Sequence, residues 1–491
     1  MSRAPAILTA PLAPTETRDK AGPLPWSLRS PAISAFALIA ADLVALLASA
    51  YVAVELRDMI WGHTPYPLGL REVGAGWIIL RFWSGLYPGF GLTPVEELQR
   101  AVTTTGLAAL GHAAALFAVQ GEATSRFILL LTWCAVVLGS WMLRGLSKAI
   151  LIRFRRFGAP IIVVGGAESG GQLIAELKAN PALGLVPVAV FDDDAAGQGQ
   201  RVADVPVLGS VQAALEAQFP YPVRHAVVAI PTLAGRRLTA LTRTLSARYL
   251  NLAVLTDLSG LVDLSLRPRA FGNSLGLEVR NNLLSPLNTR LKRYFDLLLS
   301  IPLALLTFPL VLAAALAVKL ASPGPAFFGQ EREGRRGRRV RVWKIRTMVP
   351  HAERILERYL AENPEAQAEW ARHMKLRHDP RVVPVVGHFL RRFSIDELPQ
   401  LWNVLRGEMS LVGPRPFPRY HLEQFPEEFL ALRRQALPGM TGLWQITSRS
   451  EGDLKEQERA DTYYTRNWTL WIDLWIVLCT ARTVSSGKGA H

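Results

Sequence analysis

Apolar residues crowd the first third of the chain into four runs separated by short polar stretches. Residues 33–54 carry one charge, Asp42, and are long enough to cross a bilayer as a helix. Residues 73–87 form a second run, interrupted by Arg81, and residues 102–119 and 127–143 form the third and fourth. Arg144, Lys148, Arg153, Arg155 and Arg156 follow the fourth run closely, so the positive-inside rule puts that end in the cytoplasm. Four crossings return the N-terminus to the same side, in keeping with Arg3, Arg18, Lys20 and Arg29. Residues 1–30 are rich in Pro and Ala and show no cleavable signal pattern, so they read as a disordered N-terminus. A buried, soluble all-helical domain is the alternative reading of residues 31–150.

From 159 to about 263 the pattern changes to short apolar strands alternating with helical stretches. APIIVVGG reads as a buried strand and glycine turn, SGGQLIAELKAN as a helix, and LVPVAVFDDD as a second strand ending in acids. HAVVAIP and LAVLTDLSG add two more strands, which predicts a doubly wound, Rossmann-like α/β domain over 155–275. The turn Gly165-Gly166-Ala167-Glu168-Ser169-Gly170 is similar to a dinucleotide fingerprint, and Asp192 lies where a ribose-binding acid would stand. Ala167 replaces the glycine that lets backbone approach a pyrophosphate, so the domain reads equally as regulatory or structural. No Tyr-x-x-x-Lys pair occurs, which counts against a nucleotide-sugar dehydratase or epimerase.

A fifth apolar run, 297–318, has no charge. Pro302 and Pro309 interrupt its helical hydrogen bonding. Both flanks are basic, with Arg290, Lys292 and Arg293 before it and Lys319, Arg332, Arg335, Arg336, Arg338 and Arg339 after it. A simple crossing would carry one basic flank across the membrane, whereas a re-entrant helix that breaks near Pro309 keeps both on one side. Near the C-terminus, Trp468, Trp471 and Trp475 are spaced as one helical face, either core or membrane interface.

Composition adds two constraints. Half of the residues are hydrophobic and the formal charge is +15, so an anionic partner is expected: nucleic acid, an acidic lipid surface or a phosphorylated substrate. Nucleic acid accounts for the charge but leaves the apolar spans unexplained. The two cysteines, Cys134 and Cys479, supply neither a disulfide framework nor a zinc site.

The segment RRFSIDELPQLWNVLRGEMSLVGPRP (391–416) sets adjacent acids, Asp396 and Glu397, between arginines. Ser394 and Glu397 have the spacing of a capping box, so an exposed helix start is the bland reading. Together with KRYFD, SPGPAFFGQEREGRRG, KIRTM, DPR and PGMTGLWQ, however, this segment resembles the polyprenyl-phosphate hexose-1-phosphate transferases, large membrane-embedded phosphoglycosyl transferases. SGLYPGFGLTPVEELQR, after the second run, resembles the undecaprenyl-phosphate galactose phosphotransferases in particular.

The resemblance implies a four-helix transmembrane bundle, the α/β domain, and a mainly α-helical catalytic domain over 285–491, anchored by a re-entrant helix at 292–320. It implies transfer of a sugar 1-phosphate from a UDP-hexose to undecaprenyl phosphate with release of UMP, at the cytoplasmic face of the bacterial inner membrane. Asp396 would be the nucleophile and Glu397 its partner, the two holding Mg2+. Lys344, Arg346, Arg381, Arg391 and Arg415 would contact phosphates, and the enzyme would be a homodimer. Galactose leads among the sugars, with glucose next; a non-enzymatic scaffold for polysaccharide assembly is the rival of another class. Two positions depart from the family. Phe308 precedes Pro309 where serine is common, with Thr307 nearby as a substitute hydroxyl, and Val382-Val383-Pro384 stand where a threonine commonly follows DPR.

Overall fold

A computed structural model describes residues 31–61, 70–118, 126–166, 168–194, 200–230, 232–233, 235–255, 266–271, 274–279, 281–373, 376, 379–447 and 454–486. The N-terminal 1–30, Ala167 of the glycine turn and the end of the expected strand LAVLTDLSG at 256–260 lie outside these. The chain divides into two compact units, Met1–Leu258 and Ser259–His491.

The first unit opens with helices α1 (Pro31–Trp61), α2 (Leu70–Trp83), α3 (Pro94–Ala118) and α4 (Arg126–Arg153), which pack on one another. α3 begins with a formed capping box: Thr93 N donates to Glu96 Oε2 (3.0 Å), Glu96 N donates to Thr93 Oγ1 (3.3 Å), and Pro94 takes the first helical position. The two charges that interrupt the apolar runs meet each other. Arg81 pairs with Asp42 at 2.6 Å, both fully buried, and Asp42 also accepts from Ser140 Oγ (2.6 Å) and pairs with Arg144 (3.0 Å). Arg144 and Lys148 converge on Glu97 at 2.8 and 2.5 Å. Burying these groups is tolerable because each charge finds an opposite partner. Outward-facing Phe36, Leu47, Phe82 and Phe117 remain bare.

Residues 159–254 build the α/β sheet from β1 (Ala159–Val164), β2 (Leu185–Phe191), β3 (Arg201–Val202), β4 (Val205–Gly209), β5 (His225–Val228) and β6 (Asn251–Val254), in the order β3-β4-β2-β1-β5-β6. All neighbours are parallel except the β3–β4 edge. This is the doubly wound order, with its switch point between β1 and β5. Helices α5 (Glu168–Ala179) and α6 (Gly235–Ser246) follow β1 and β5. The glycine turn has a packing explanation: a Cβ on Gly165 would stand 2.6 Å from the Ala229 carbonyl oxygen, and one on Gly170 2.1 Å from that of Gly165. Asp192 accepts hydrogen bonds from the backbone N–H groups of Gly166 and Asp194, so its carboxylate braces the turn itself.

The second unit begins with a hairpin, β7 (Leu266–Phe271) and β8 (Ser274–Val279), followed by α7 (Pro286–Ala321), a helix of 36 residues. α7 runs continuously through Pro302 and Pro309, so the break expected near Pro309 is not an interruption of the helix: a proline removes one N–H donor, and a helix can bend there without ending. Thr307 Oγ1 donates to the Leu303 carbonyl (2.7 Å), not to that of Leu305, which Pro309 leaves without its helical donor. The expected substitution of Thr307 for the family serine therefore does not occur at the freed carbonyl. Lys292, Asp296 and Ser300 near the start of α7 and Ala314, Ala315 and Val318 near its end are buried, whereas Leu305, Leu306 and Phe308 between them are exposed.

The remainder is small and interlocked: β9 (Phe327–Glu333) pairs antiparallel with β10 (Arg339–Ile345), followed by α8 (Ala352–Glu362), α9 (Pro364–His373), α10 (Val386–Arg392) and α11 (Gln400–Arg406). β11 (Ser410–Val412) pairs in parallel with β12 (Gly439–Thr441) across α12 (Glu427–Arg433), and α13 (Leu454–Asn467) and α14 (Leu470–Ser486) close the unit. Trp468 precedes α14 and is buried, donating to Asp473 Oδ2 (3.0 Å), while Trp471 and Trp475 are half-buried. The tryptophans thus do not form one helical face, because the helix starts after the first of them. Among the described residues, Pro31–Ile60, Ile128–Arg153 and Pro286–Ala321 are long and apolar enough to cross a membrane.

Candidate active site

The acid pair stands on a short 3₁₀ turn, Ile395–Glu397, between α10 and α11. Ser394 does not cap it: its backbone is left-handed (φ 56°) and its side chain makes no capping bond. What sets the turn is packing, since Ile395 is buried with Leu390, Ile345 and the end of α7 (Ala314, Val318). A left-handed serine beside a buried acid is a strained arrangement of the kind found at functional sites. Asp396 is 8% exposed. Burial and the neighbouring Glu397 charge push its carboxyl up to about 6, while Lys344 and Arg391 pull it down.

The basic residues reach this pair unequally. Lys344 on β10 donates to Glu397 Oε1 at 2.6 Å, and Arg415 Nη2 lies 3.7 Å from the same oxygen. Arg391, whose Nε donates to Thr347 Oγ1 (3.0 Å), lies within electrostatic reach of both Asp396 and Asp379. Arg381 forms a bidentate pair with Asp379, through Nε (2.7 Å) and Nη2 (2.6 Å), and holds that carboxyl below its usual range against burial. Its guanidinium also stands 5.1 Å over Trp370. Arg346 is engaged elsewhere: Nη1 and Nη2 donate to the carbonyls of Pro323 (2.5 Å) and Ser322 (2.8 Å), bracing the turn after α7. Geometry thus groups Lys344, Arg391 and Arg415 around the acids, keeps Arg381 neutralised by Asp379, and gives Arg346 a scaffolding position.

All of these residues line one cavity of ≈ 1750 Å³, which extends to Leu299 and Leu303 on α7 and to Val477 on α14. It therefore joins a charged basin to apolar surface. Val382 and Val383, where the family commonly has threonine, are buried, and Val383 N donates to the Thr347 carbonyl (2.9 Å). Neither valine lines the cavity.

Among the described residues no cluster of three His, Cys, Asp or Glu side chains forms a metal site. Asp396 and Glu397 do fit magnesium, which takes one or two carboxylates and completes its shell with substrate phosphates and water. Burial first, and the adjacent Glu397 charge second, disfavour the ionised Asp396 carboxylate, and a cation at the pair would offset both.

Several supporting residues lie inside the quoted motifs without a role having been assigned from sequence. In KRYFD, Arg293 donates to the carbonyls of Val404 (2.5 Å) and Leu405 (2.7 Å), closing the end of α11. Lys292 pairs with Asp473 (2.6 Å) and donates to the Val412 carbonyl (2.9 Å), and Asp296 accepts from Ser410 Oγ (2.9 Å) and Leu411 N (3.1 Å). The N-terminal part of α7 thus clamps both the helix after the acid pair and the strand before Arg415. Buried Asn403 ties α11 to β10 through Arg341 and Trp343 backbone groups.

Residues 287–487 match the bacterial sugar transferase family, and residues 84–254 match a CoA-binding domain family. The undecaprenyl-phosphate galactose phosphotransferase of Salmonella typhimurium is 31% identical over 87% of this chain and 88% of its own length. The chain belongs to the polyprenyl-phosphate sugar-phosphate transferases. Other members resemble it too. The UDP-glucose:undecaprenyl-phosphate glucose-1-phosphate transferase of Escherichia coli is 32% identical over 69% of this chain and 71% of its own. The exopolysaccharide production protein ExoY of Rhizobium meliloti is 41% identical over 42% of this chain and 90% of its own. The chain is accordingly an enzyme of the sugar-1-phosphate transferase class, and its CoA-binding-type domain is the Rossmann-like sheet.

Proposed function

We propose that this enzyme transfers hexose 1-phosphate, galactose 1-phosphate first among candidates, from a UDP-sugar to undecaprenyl phosphate, as a first membrane step of O-antigen, capsule or exopolysaccharide synthesis. The observation that carries this reading is the buried Asp396 beside Glu397, Lys344, Arg391 and Arg415 in a cavity open to apolar helix surface. In the first step an Asp396 oxygen attacks the β-phosphorus of the UDP-sugar. The bond from that phosphorus to the UMP oxygen breaks, UMP leaves, and an aspartyl-phosphosugar remains. In the second step a phosphate oxygen of the lipid attacks the same phosphorus, giving undecaprenyl-diphosphate-sugar and restoring the carboxylate.

Both partners are anions, so the attack needs the cations of Lys344, Arg391 and Arg415 on the phosphoryl oxygens. Magnesium held by Asp396 and Glu397 would supply further neutralisation of the diphosphate. Glu397, anchored by Lys344, keeps its carboxylate oriented beside the nucleophile and is placed to handle protons of the incoming phosphate. Arg381 and Arg346 contribute through the Asp379 loop and the turn after α7.

The membrane arrangement belongs to the same reading. α1–α4 form a four-helix transmembrane bundle in the bacterial inner membrane; α1 and α4 are long and apolar enough to cross it, whereas α2 is described over only 14 residues, fewer than the ~20 that span a bilayer, and α3 opens with the charged turn Glu96-Glu97. α7 enters and leaves on the cytoplasmic face, where the catalytic unit lies. Support for this comes from the burial of both its ends against one body while its middle is bare. Glucose is the second candidate sugar, on the likeness to the Escherichia coli enzyme. UMP release measured across UDP-galactose, UDP-glucose and UDP-N-acetylgalactosamine with undecaprenyl phosphate tests the assignment; no release with any of them refutes it. The resemblance also implies a homodimer, which the mass of the solubilised protein would check.

A further inference from the structure

The segment carrying Arg415 runs Gly413-Pro414-Arg415-Pro416-Phe417-Pro418. Its three prolines have no N–H to donate, so the segment is held largely through its carbonyls. Gly439 N donates to Pro414 O (2.9 Å) and Glu333 N to Phe417 O (3.2 Å), while Arg332 Nη1 reaches Pro416 O (3.3 Å). The Arg415 carbonyl itself receives a hydrogen bond from Nη2 of Arg433, at the end of α12. Arg433 is 6% exposed, its guanidinium lies 4.4 Å over the Phe417 ring, and its Nε stands 3.3 Å from Asp461 Oδ2 on α13. Phe417 in turn stacks on His421 at 4.5 Å. One buried fork therefore grips the segment on both sides of Pro416.

We infer that Arg433 is a positioning residue for sugar-phosphate transfer: it fixes the Arg415 backbone so that the Arg415 guanidinium stands at the acid pair, and Asp461 orients the fork. The inference rests on the proposed contact of Arg415 with substrate phosphates. A buried arginine is an expensive way to fill a core, because its charge must be desolvated, and apolar residues of similar volume serve stability as well or better. Its planar fork, in contrast, engages the Arg415 carbonyl, the Asp461 carboxylate and the Phe417 ring through separate atoms in a fixed geometry, which the single ammonium of a lysine does not reproduce. Burial pushes the Asp461 carboxyl up to about 6, with Arg433 opposing, so the pair is held together against a substantial desolvation cost.

The test is a double-mutant cycle on the full-length protein in nanodiscs, reading kcat/KM and Tm with undecaprenyl phosphate and the faster of UDP-galactose and UDP-glucose. Arg433→Lys should lower kcat/KM by ~10-fold in the wild-type background but by less than ~2-fold alongside Arg415→Met, because the two act through one group. Equal losses in both backgrounds would overturn the inference and leave Arg433 as a fold support. The paired change Arg433→Met with Asp461→Leu guards against misfolding, since it leaves no unpaired buried charge. It should keep Tm within a few degrees yet lose kcat/KM to the same extent; undiminished kcat/KM would also overturn the inference. Arg415→Met alone with undiminished kcat/KM would refute the phosphate role of Arg415, a separate failure visible in that single variant.

Discussion

Lys344→Met offers a signed electrostatic prediction. Its ammonium lies 2.6 Å from Glu397 Oε1 and lowers the Asp396 carboxyl against burial and the Glu397 charge. A unit charge ~6 Å from the carboxyl is worth ~0.7 kcal/mol at the dielectric of water and ~2.8 kcal/mol at an effective value of ~20. Lys344 is 29% exposed, so solvent screening favours the lower third of that span, ~0.7–1.4 kcal/mol, or about half to one pH unit. As the proposed nucleophile Asp396 has to be ionised, so activity should rise with pH through about 6 in the wild type and level off above it. Removing the lysine raises the carboxyl further, and the acidic limb should move up by about half to one pH unit. The assay is the pH profile of kcat/KM for the UDP-sugar at fixed magnesium, which reports the free enzyme. The plateau should also fall, given the proposed role of Lys344 on the phosphoryl oxygens, but the position of the limb is the diagnostic. Lys344→Arg keeps the charge and should leave the limb in place. A limb that stays put or moves to lower pH in Lys344→Met would refute the electrostatic assignment.

Two further predictions concern architecture. Single cysteines at Asn288 and Gly324, in a background lacking Cys134 and Cys479, should both resist a membrane-impermeant reagent applied from the periplasmic side. Labelling of one alone would show that α7 crosses the membrane. A truncated chain starting near Asn282 should still release UMP from its UDP-sugar, since every proposed reacting group lies downstream; folded but wholly inactive protein would refute catalytic independence from the α/β sheet.

Much of the architecture was legible because its signals are local. The α/β strands stand out as short apolar runs between glycine and acidic turns, whereas the third helix begins at Pro94, ahead of the apolar run at 102–119, under a Thr93–Glu96 capping box that the hydrophobic pattern does not mark. The same Ser/Thr-x-x-Glu spacing failed at Ser394, because buried Ile395 and the end of α7 dictate the turn, and those contacts are distant in sequence. β3 has only two residues, and Pro206 interrupts the apolar pattern of β4, so neither carries a strand signal of its own. Asp42 and Arg81 each looked like a flaw in a membrane segment until the fold brought them to 2.6 Å. At the site, motif content marked Asp396, Glu397, Lys344, Arg391 and Arg415 together, but charge alone could not separate them from Arg346, whose donors go to backbone carbonyls. Nor could it reveal the clamp made by Lys292, Arg293 and Asp296, since that depends on partners more than a hundred residues away.

The central claim is that Asp396 carries the sugar phosphate covalently. Wild-type enzyme given UDP-sugar and magnesium without lipid should release UMP in a burst no larger than the enzyme concentration. Peptide mass mapping should then find a hexose-phosphate adduct on Asp396. Asp396→Asn keeps the size but lacks the anionic nucleophile, and should show neither burst nor adduct, with turnover lower by several orders of magnitude. An adduct on another residue, or near-normal turnover in Asp396→Asn, would contradict the account.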